Sequence, residues 1–377
     1  MAGFLLRYSL RDRERSALTI LWTPWHLGRL EVPGRIVRSA TWEGLADAAG
    51  RPLPALAELL GRLAAGGAGL VTAGFTFVDP AGRALARQCG LTGPEQLDAF
   101  RPLAGAIAAA GARSCLQLGH AGPQLWPDLA GRGVEPEGPG GPGSGLREMR
   151  PERIGEVIDA CARAAVLARE AGFDAVQLHF AHGYLHSAFL SPRTNRRRDG
   201  WGGSLAGRAR FLVETVAAVR RALGPDYPLW AKWNCADFAP GGLTLEESLA
   251  AARRVCRAGL DALEISGGVK ESGDRGCTRG PAWPEGYFRS QAARFAAALD
   301  LPVGTVGGIR SAAAAAGLVR AGQAFVALSR PLVRRPDLPA RWRSGTQEGS
   351  GCTSCNRCFL PALRGRGIRC MARGRRR

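Results

Sequence analysis

GFDAVQLHFAHGYLHSAFLSPRTNRRRDGWGGSLAGRARF, residues Gly172–Phe211, decides how the chain is to be read. It opens just after a helical pattern that stops at Ala171-Gly172, a pairing typical of a helix C-terminus. Asp174–His179 is then a short apolar run with the character of a buried strand. A second helical pattern starts near Leu205. Between strand and helix stand His179, His182 and Tyr184, three donors crowded at one strand end. Paired histidines and a tyrosine in that position can polarise a carbonyl oxygen and deliver a proton. Extended by His186, the histidines also permit zinc, but no HExxH pattern or carboxylate cluster accompanies them.

The same strand-then-helix unit repeats along the chain. Strands are expected at Arg35–Thr41, Gly69–Phe75, Ser114–Leu118, Asp174–His179, Pro228–Trp233, Asp261–Ser266, Pro302–Val306 and Ala324–Ser329. Helical patterns fall between them at Pro54–Ala65, Pro94–Ala110, Pro151–Ala171, Leu205–Leu223, Leu245–Ala258, Tyr287–Leu299 and Ala312–Ala321. Strict alternation implies right-handed βαβ units and a parallel sheet. Eight units predict an α/β fold, a (β/α)8 TIM barrel; a doubly wound sheet is the alternative. The domain reading is an N-terminal arm over residues 1–20, a barrel over 21–345 and a Cys/Arg-rich extension over 346–377.

Barrel enzymes build their sites at the C-terminal ends of the strands. Here those ends carry Ser39-Ala40-Thr41, Gly74, Gln117, His179, Lys232, Ser266, Gly307-Gly308 and Ser329-Arg330. Glycines after strand seven and an arginine after strand eight suit a phosphate, which backbone N–H groups can approach and a guanidinium can clamp. Gln117 and Lys232 interrupt apolar runs, and a buried amide or ammonium needs partners. Each has a plain structural reading, a satisfied hydrogen bond inside the barrel; together at one end they favour a cofactor.

Composition sets bounds. With 46% hydrophobic and 22% charged residues the chain is an ordinary globular protein. No apolar run reaches the ~18 residues of a membrane span, and the N-terminal apolar patch is too short for a secretory signal, so a cytoplasmic protein is expected. Ten cysteines without a dense small-domain pattern read as reduced thiols. The net charge of +19 is almost entirely arginine, with Lys232 and Lys270 the only lysines. Without an aromatic-interleaved basic motif it speaks for no specific nucleic acid. A homo-oligomer is left open.

The quoted stretch resembles the signature region of the old yellow enzyme family, the FMN-dependent NADH:flavin oxidoreductases and ene-reductases. The resemblance extends over about Leu21 to Arg343, through GRIVRSAT, LQLGHAG, LHFAHGYL, VGGIR and ALSRPLVRRPDL. It implies FMN as cofactor and NADH or NADPH as electron donor. It implies His179, His182 and Tyr184 as catalytic residues acting on a small enone-type substrate. Ser39, Ala40, Thr41, Gly74, Gln117, Lys232, Gly307, Gly308, Ser329 and Arg330 would then bind the cofactor. Gly34, Pro123, Trp201 and Ser329 depart from the family pattern. Another FMN barrel, such as a tRNA-dihydrouridine synthase, and a flavin-free basic binding protein are the competing readings.

Cys352, Cys355, Cys358 and Cys370 follow the barrel as C-x2-C-x2-C-x11-C. Four thiolates so spaced are a ligand count for zinc or a 4Fe–4S cluster; equally they are four reduced thiols. Relatives on the 2,4-dienoyl-CoA reductase-like branch carry a 4Fe–4S cluster near this point, with a middle spacing one residue longer.

Overall fold

The computed structural model describes residues 18–125, 135–276, 280, 282–346 and 348–372. Most of the expected N-terminal arm, part of the Gly/Pro-rich loop after strand three and the last arginines of the tail lie outside the described residues.

Eight parallel strands close into a barrel in chain order. They are β1 (Ile36–Arg38), β2 (Leu70–Phe77), β3 (Arg113–Gly119), β4 (Ala175–Phe180), β5 (Leu229–Asn234), β6 (Ala262–Ser266), β7 (Val303–Val306) and β8 (Val326–Leu328). The longer helices between them are α1 (Pro54–Ala65), α2 (Leu97–Ala109), α3 (Pro151–Glu170), α4 (Leu205–Leu223), α5 (Leu245–Arg257), α6 (Arg289–Ala298) and α7 (Ala312–Arg320), with a short one, Leu185–Leu190, just after β4. Two short helices, Arg330–Arg334 and Leu338–Arg343, complete the ring after β8. The fold is therefore a (β/α)8 TIM barrel.

Local sequence explains the helix starts. Proline at the first position opens α1 and α3, where its missing N–H costs nothing. The Ser204 and Thr244 side chains cap α4 and α5, accepting from Gly207 N and Glu247 N. The helix expected at Pro94–Ala110 opens instead as a 3-10 turn, Pro94–Gln96, before α2 begins.

Two cores result. The larger lies between the sheet and the helices, with Phe100, Phe180, Phe211 and Trp342 among its buried rings. The smaller fills the lower barrel interior, where Val37, Cys115, Ala175, Trp230 and Phe325 meet a hairpin (Trp25–Leu27 and Leu30–Val32). Trp25 stacks on Phe325 at 4.6 Å between ring centroids, and Trp230 meets the same ring edge-on at 5.5 Å. One pleat higher the interior turns polar: Trp230 is succeeded by Lys232, Ala262 by Glu264 and Ala175 by Gln177. Among the described residues no helix is long and apolar enough to cross a membrane.

The Trp230 plug gives a stability prediction. Trp230 is fully buried and its Nε1–H donates to Cys115 Sγ at 3.2 Å. Trp230→Ala should cost about 3–5 kcal/mol in urea unfolding. A loss below about 1 kcal/mol would show that the lower interior collapses freely onto the gap.

Candidate active site

A cavity of about 560 Å3 opens at the C-terminal end of the strands, within the ~300–1,000 Å3 typical of small-molecule sites. Ser39, Ala40, Thr41, Gln117, His179, His182, Tyr184, Lys232, Gly307, Gly308, Ser329 and Arg330 all line it. Gly74, expected beside them, is not among the lining residues. Its backbone has φ 126°, and a Cβ there would lie 2.9 Å from the Gln117 carbonyl oxygen. The glycine thus lets β2 pass close to β3, and its neighbour Phe75 forms the wall instead.

The β4 residues are built in two ways. His179 is in the strand, buried, with Nδ1 accepting from the Ala181 N–H at 3.3 Å. That bond places the ring proton on Nε2. His182 sits beyond the strand at φ 66°, a left-handed conformation that costs a non-glycine residue about 1–3 kcal/mol. The turn is held by its N–H donating to Asn234 Oδ1 at 3.3 Å and by a 2.7 Å bond between its Nε2 and Ser266 Oγ. The rings of His179 and His182 are 5.2 Å apart, and those of His179 and Tyr184 4.8 Å. Phe75 packs on both Tyr184 and His179. His186 is elsewhere, stacked on Phe211 at 4.3 Å and bonded to Thr215, so the three histidines do not form a zinc site.

The cavity floor is a chain of hydrogen bonds. Lys232 Nζ donates to Ser39 Oγ at 2.6 Å and to Glu264 Oε1 at 2.7 Å. Gln177 Nε2 donates to Glu264 Oε2 at 2.9 Å, and Gln117 Nε2 donates to Gln177 Oε1 at 2.6 Å. Beside Ser39, Thr41 Oγ1 and Ser329 Oγ are 2.7 Å apart. Gly307 and Gly308 have φ 132° and 65°, and a Cβ on Gly307 would lie 2.7 Å from the Tyr287 ring. Only glycine leaves this backbone open to a ligand while Tyr287 backs it.

Residues 348–372 fold back over the barrel mouth. Ser354, Asn356, Phe359, Leu360 and Leu363 contribute the outer wall of the cavity. Arg330 Nη1 donates to the Ser354 carbonyl at 3.2 Å and to Asn356 Oδ1 at 2.7 Å. None of these residues stands out in the sequence, because they come from a segment with no strand or long helix. Glu264 was legible by the same signal as Lys232, a charge inside an apolar strand.

Cys352, Cys355, Cys358 and Cys370 border one small cavity beside Arg330. Even so, no group of three or more His, Cys, Asp or Glu side chains is placed to hold a metal ion among the described residues. Cys358 packs with Ala362 and Ile368, while Cys355 is exposed and Cys370 meets Arg334 Nη1 at 3.4 Å. The expectation of zinc or a 4Fe–4S cluster at these cysteines is therefore not supported.

Comparison with known proteins now places the chain. Residues 20–348 match the model of the NADH:flavin oxidoreductase / NADH oxidase family, and the chain belongs to that family. The family is one of oxidoreductases, named for NADH and flavin. The NADH oxidase of Thermoanaerobacter brockii is 35% identical over 89% of this chain and 52% of its own length. The 4,4'-dithiodibutanoate disulfide reductase of Rhodococcus erythropolis is 31% identical over 94% of this chain and 95% of its own. Among solved structures, a 2-naphthoyl-CoA reductase in complex with 2-naphthoyl-CoA superposes with a TM-score of 0.89 at 30% identity, covering 94% of this chain and 57% of that one. The chain thus spans only about half the length of the Thermoanaerobacter relative.

Burial, followed by the Lys232 charge, holds the His182 pKa down at about 3. Burial, then His182 and Lys232, holds His179 well below 6.5. In the unfolded chain both titrate near ~6.5, so between about pH 3 and 6.5 the unfolded state binds more protons. Stability therefore rises with pH through that window and is lost as the pH falls. His182→Asn, which tolerates the left-handed backbone, should make the acid limb shallower by up to about 1.4 kcal/mol per pH unit. Urea unfolding from about pH 4 to 6 checks this. An unchanged slope would mean that His182 is charged in the folded protein.

Proposed function

We propose that the enzyme reduces the activated C=C bond of an α,β-unsaturated carbonyl compound with electrons from NADH or NADPH. The observation carrying this reading is the convergence of two neutral imidazoles and a phenol on one wall of the cavity. Gly307, Gly308, Ser329 and Arg330 suit a phosphate, and Ser39, Ala40, Thr41, Gln117 and Lys232 offer the mixed donors and acceptors that a flavin ring edge requires. This is one phosphate cradle, which fits FMN. When bound, FMN supplies the hydride chemistry that joins nicotinamide to substrate.

The protein's own part is orientation and charge. His179 offers Nε2–H to the carbonyl oxygen of the substrate. The mechanism calls for Ser266 Oγ to donate across its 2.7 Å contact with His182 Nε2, which leaves Nδ1 protonated for the second bond to the same oxygen. Both rings are uncharged near neutral pH, so they stabilise developing negative charge on that oxygen without surrendering a proton. Drawing electron density to the oxygen leaves the β-carbon short of it. The Tyr184 hydroxyl then gives its proton to the α-carbon. Hydride at the β-carbon and proton at the α-carbon together saturate the bond.

The test separates the half-reactions. His179→Ala and His182→Ala should each slow oxidation of the prereduced enzyme by 2-cyclohexenone by about 30- to 1,000-fold, the worth of one ~2–4 kcal/mol oxyanion donor. Reduction of the oxidised enzyme by NADH or NADPH should change little. Tyr184→Phe should slow the enone half-reaction less, since water can replace its proton. Rapid mixing follows both steps through flavin absorbance. Histidine variants that lose only nicotinamide oxidation, or a wild-type enzyme that turns over 4,4'-dithiodibutanoate but no enone, would sink the reading.

A further inference from the structure

Glu264 has no part in the reaction as derived above, yet the cavity floor is assembled on it. Its carboxylate is fully buried and takes four direct or relayed connections. Oε1 accepts from Lys232 Nζ at 2.7 Å and from Ser39 Oγ at 2.6 Å. Oε2 accepts from Gln177 Nε2 at 2.9 Å, and Gln177 in turn accepts from Gln117. The register puts it level with its partner: Glu264 pairs with Lys232, and Lys232 with His179, across β6, β5 and β4. Three cavity-lining side chains, Lys232 on β5, Gln117 on β3 and Ser39 just past β1, thus take their orientation from one carboxylate.

Charge is the second consequence. A lone Lys232 would present one full positive charge to whatever occupies the cavity. Beside Glu264 the floor carries a dipole with no net charge. Inside a barrel sealed by Trp25, Trp230 and Phe325, little water screens either member.

We propose that Glu264 is a positioning residue that holds Lys232, Ser39 and Gln117 against bound FMN, and that the Lys232–Glu264 pair, not the lysine alone, sets the cofactor's reduction potential. This rests on the placement of FMN against Lys232 proposed above. Reduction adds negative charge to the cofactor, so a local cation favours it and a local anion opposes it. Removing the carboxylate leaves the cation uncompensated; removing the cation leaves the anion.

The experiment measures the midpoint potential and FMN affinity of the wild-type holoprotein and of Glu264→Gln, Lys232→Met and the double variant. Expected is the order Glu264→Gln above wild type, the double variant close to wild type, and Lys232→Met lowest. Each step should change the preference for reduced over oxidised FMN about tenfold, ~30 mV for a two-electron couple. Glu264→Asp, too short to reach Lys232 and Gln177 together, should weaken FMN binding without raising the potential as Glu264→Gln does. A Glu264→Gln potential equal to or below wild type, or a double variant that tracks Lys232→Met, overturns the inference while leaving the FMN site standing. Wild-type protein that binds no FMN overturns the site itself. Thermal unfolding of the apoproteins gives a readout free of cofactor. Lys232→Met should melt lowest, because it strands a buried carboxylate, and adding Glu264→Gln should recover stability. Strictly additive losses would show that the two residues do not act as a pair.

Discussion

The stacking of Trp25 on Phe325, with Trp230 set edge-on beneath the polar layer, is the contact on which the upper barrel depends. It closes the lower interior with apolar rings, so the side chains one pleat higher face a medium with little water. That is what makes an unpartnered lysine or carboxylate there so costly and a partnered one so strongly oriented. The histidines are desolvated by neighbours of their own, Phe75 and Tyr184. Burial is the largest influence on His179 and His182, ahead of any neighbouring charge, and it keeps both rings neutral. The polar floor of the cavity therefore rests directly on aromatic packing below it.

Much of this was legible in the sequence. The strands are short apolar runs bounded by glycine or a polar residue, and their spacing left little room for another fold. The limits expected for α1 and α4 agree with those found, because Pro54 and Ser204 are unambiguous start signals. β1 is shorter than expected, since Ser39 and Thr41 leave the strand and turn their hydroxyls to Glu264 and Ser329. Lys232 could be singled out because a charge within an apolar strand demands an explanation. Glu264, in the run Ala262–Ser266, satisfies the same criterion, and the two are legible together only once the β5–β6 register is known.

Other features lay beyond sequence reasoning for identifiable reasons. Gly74 ends its apolar run like a ligand-binding glycine, but its role is steric, toward the Gln117 carbonyl. Which face a residue takes at an irregular strand end follows from the shifted β2–β3 register, not from alternation. The outer wall comes from residues 354–363, which carry no periodic signal. For the four cysteines, spacing supplies a ligand count without an arrangement: all four border one small cavity, yet among the described residues no three are placed to hold a metal ion.

Arg330 is gripped from outside the barrel by the Ser354 carbonyl and the Asn356 amide oxygen, both on left-handed residues of the C-terminal segment. The guanidinium is thus common property of the cavity, where we propose it holds a phosphate, and of the segment that covers the mouth. Thermodynamic reciprocity then binds the two: whatever free energy the docked segment lends to holding an anion on Arg330, a bound anion must return to the docking of the segment. One side chain thus joins the end of the last barrel strand to a backbone some two dozen residues further along the chain.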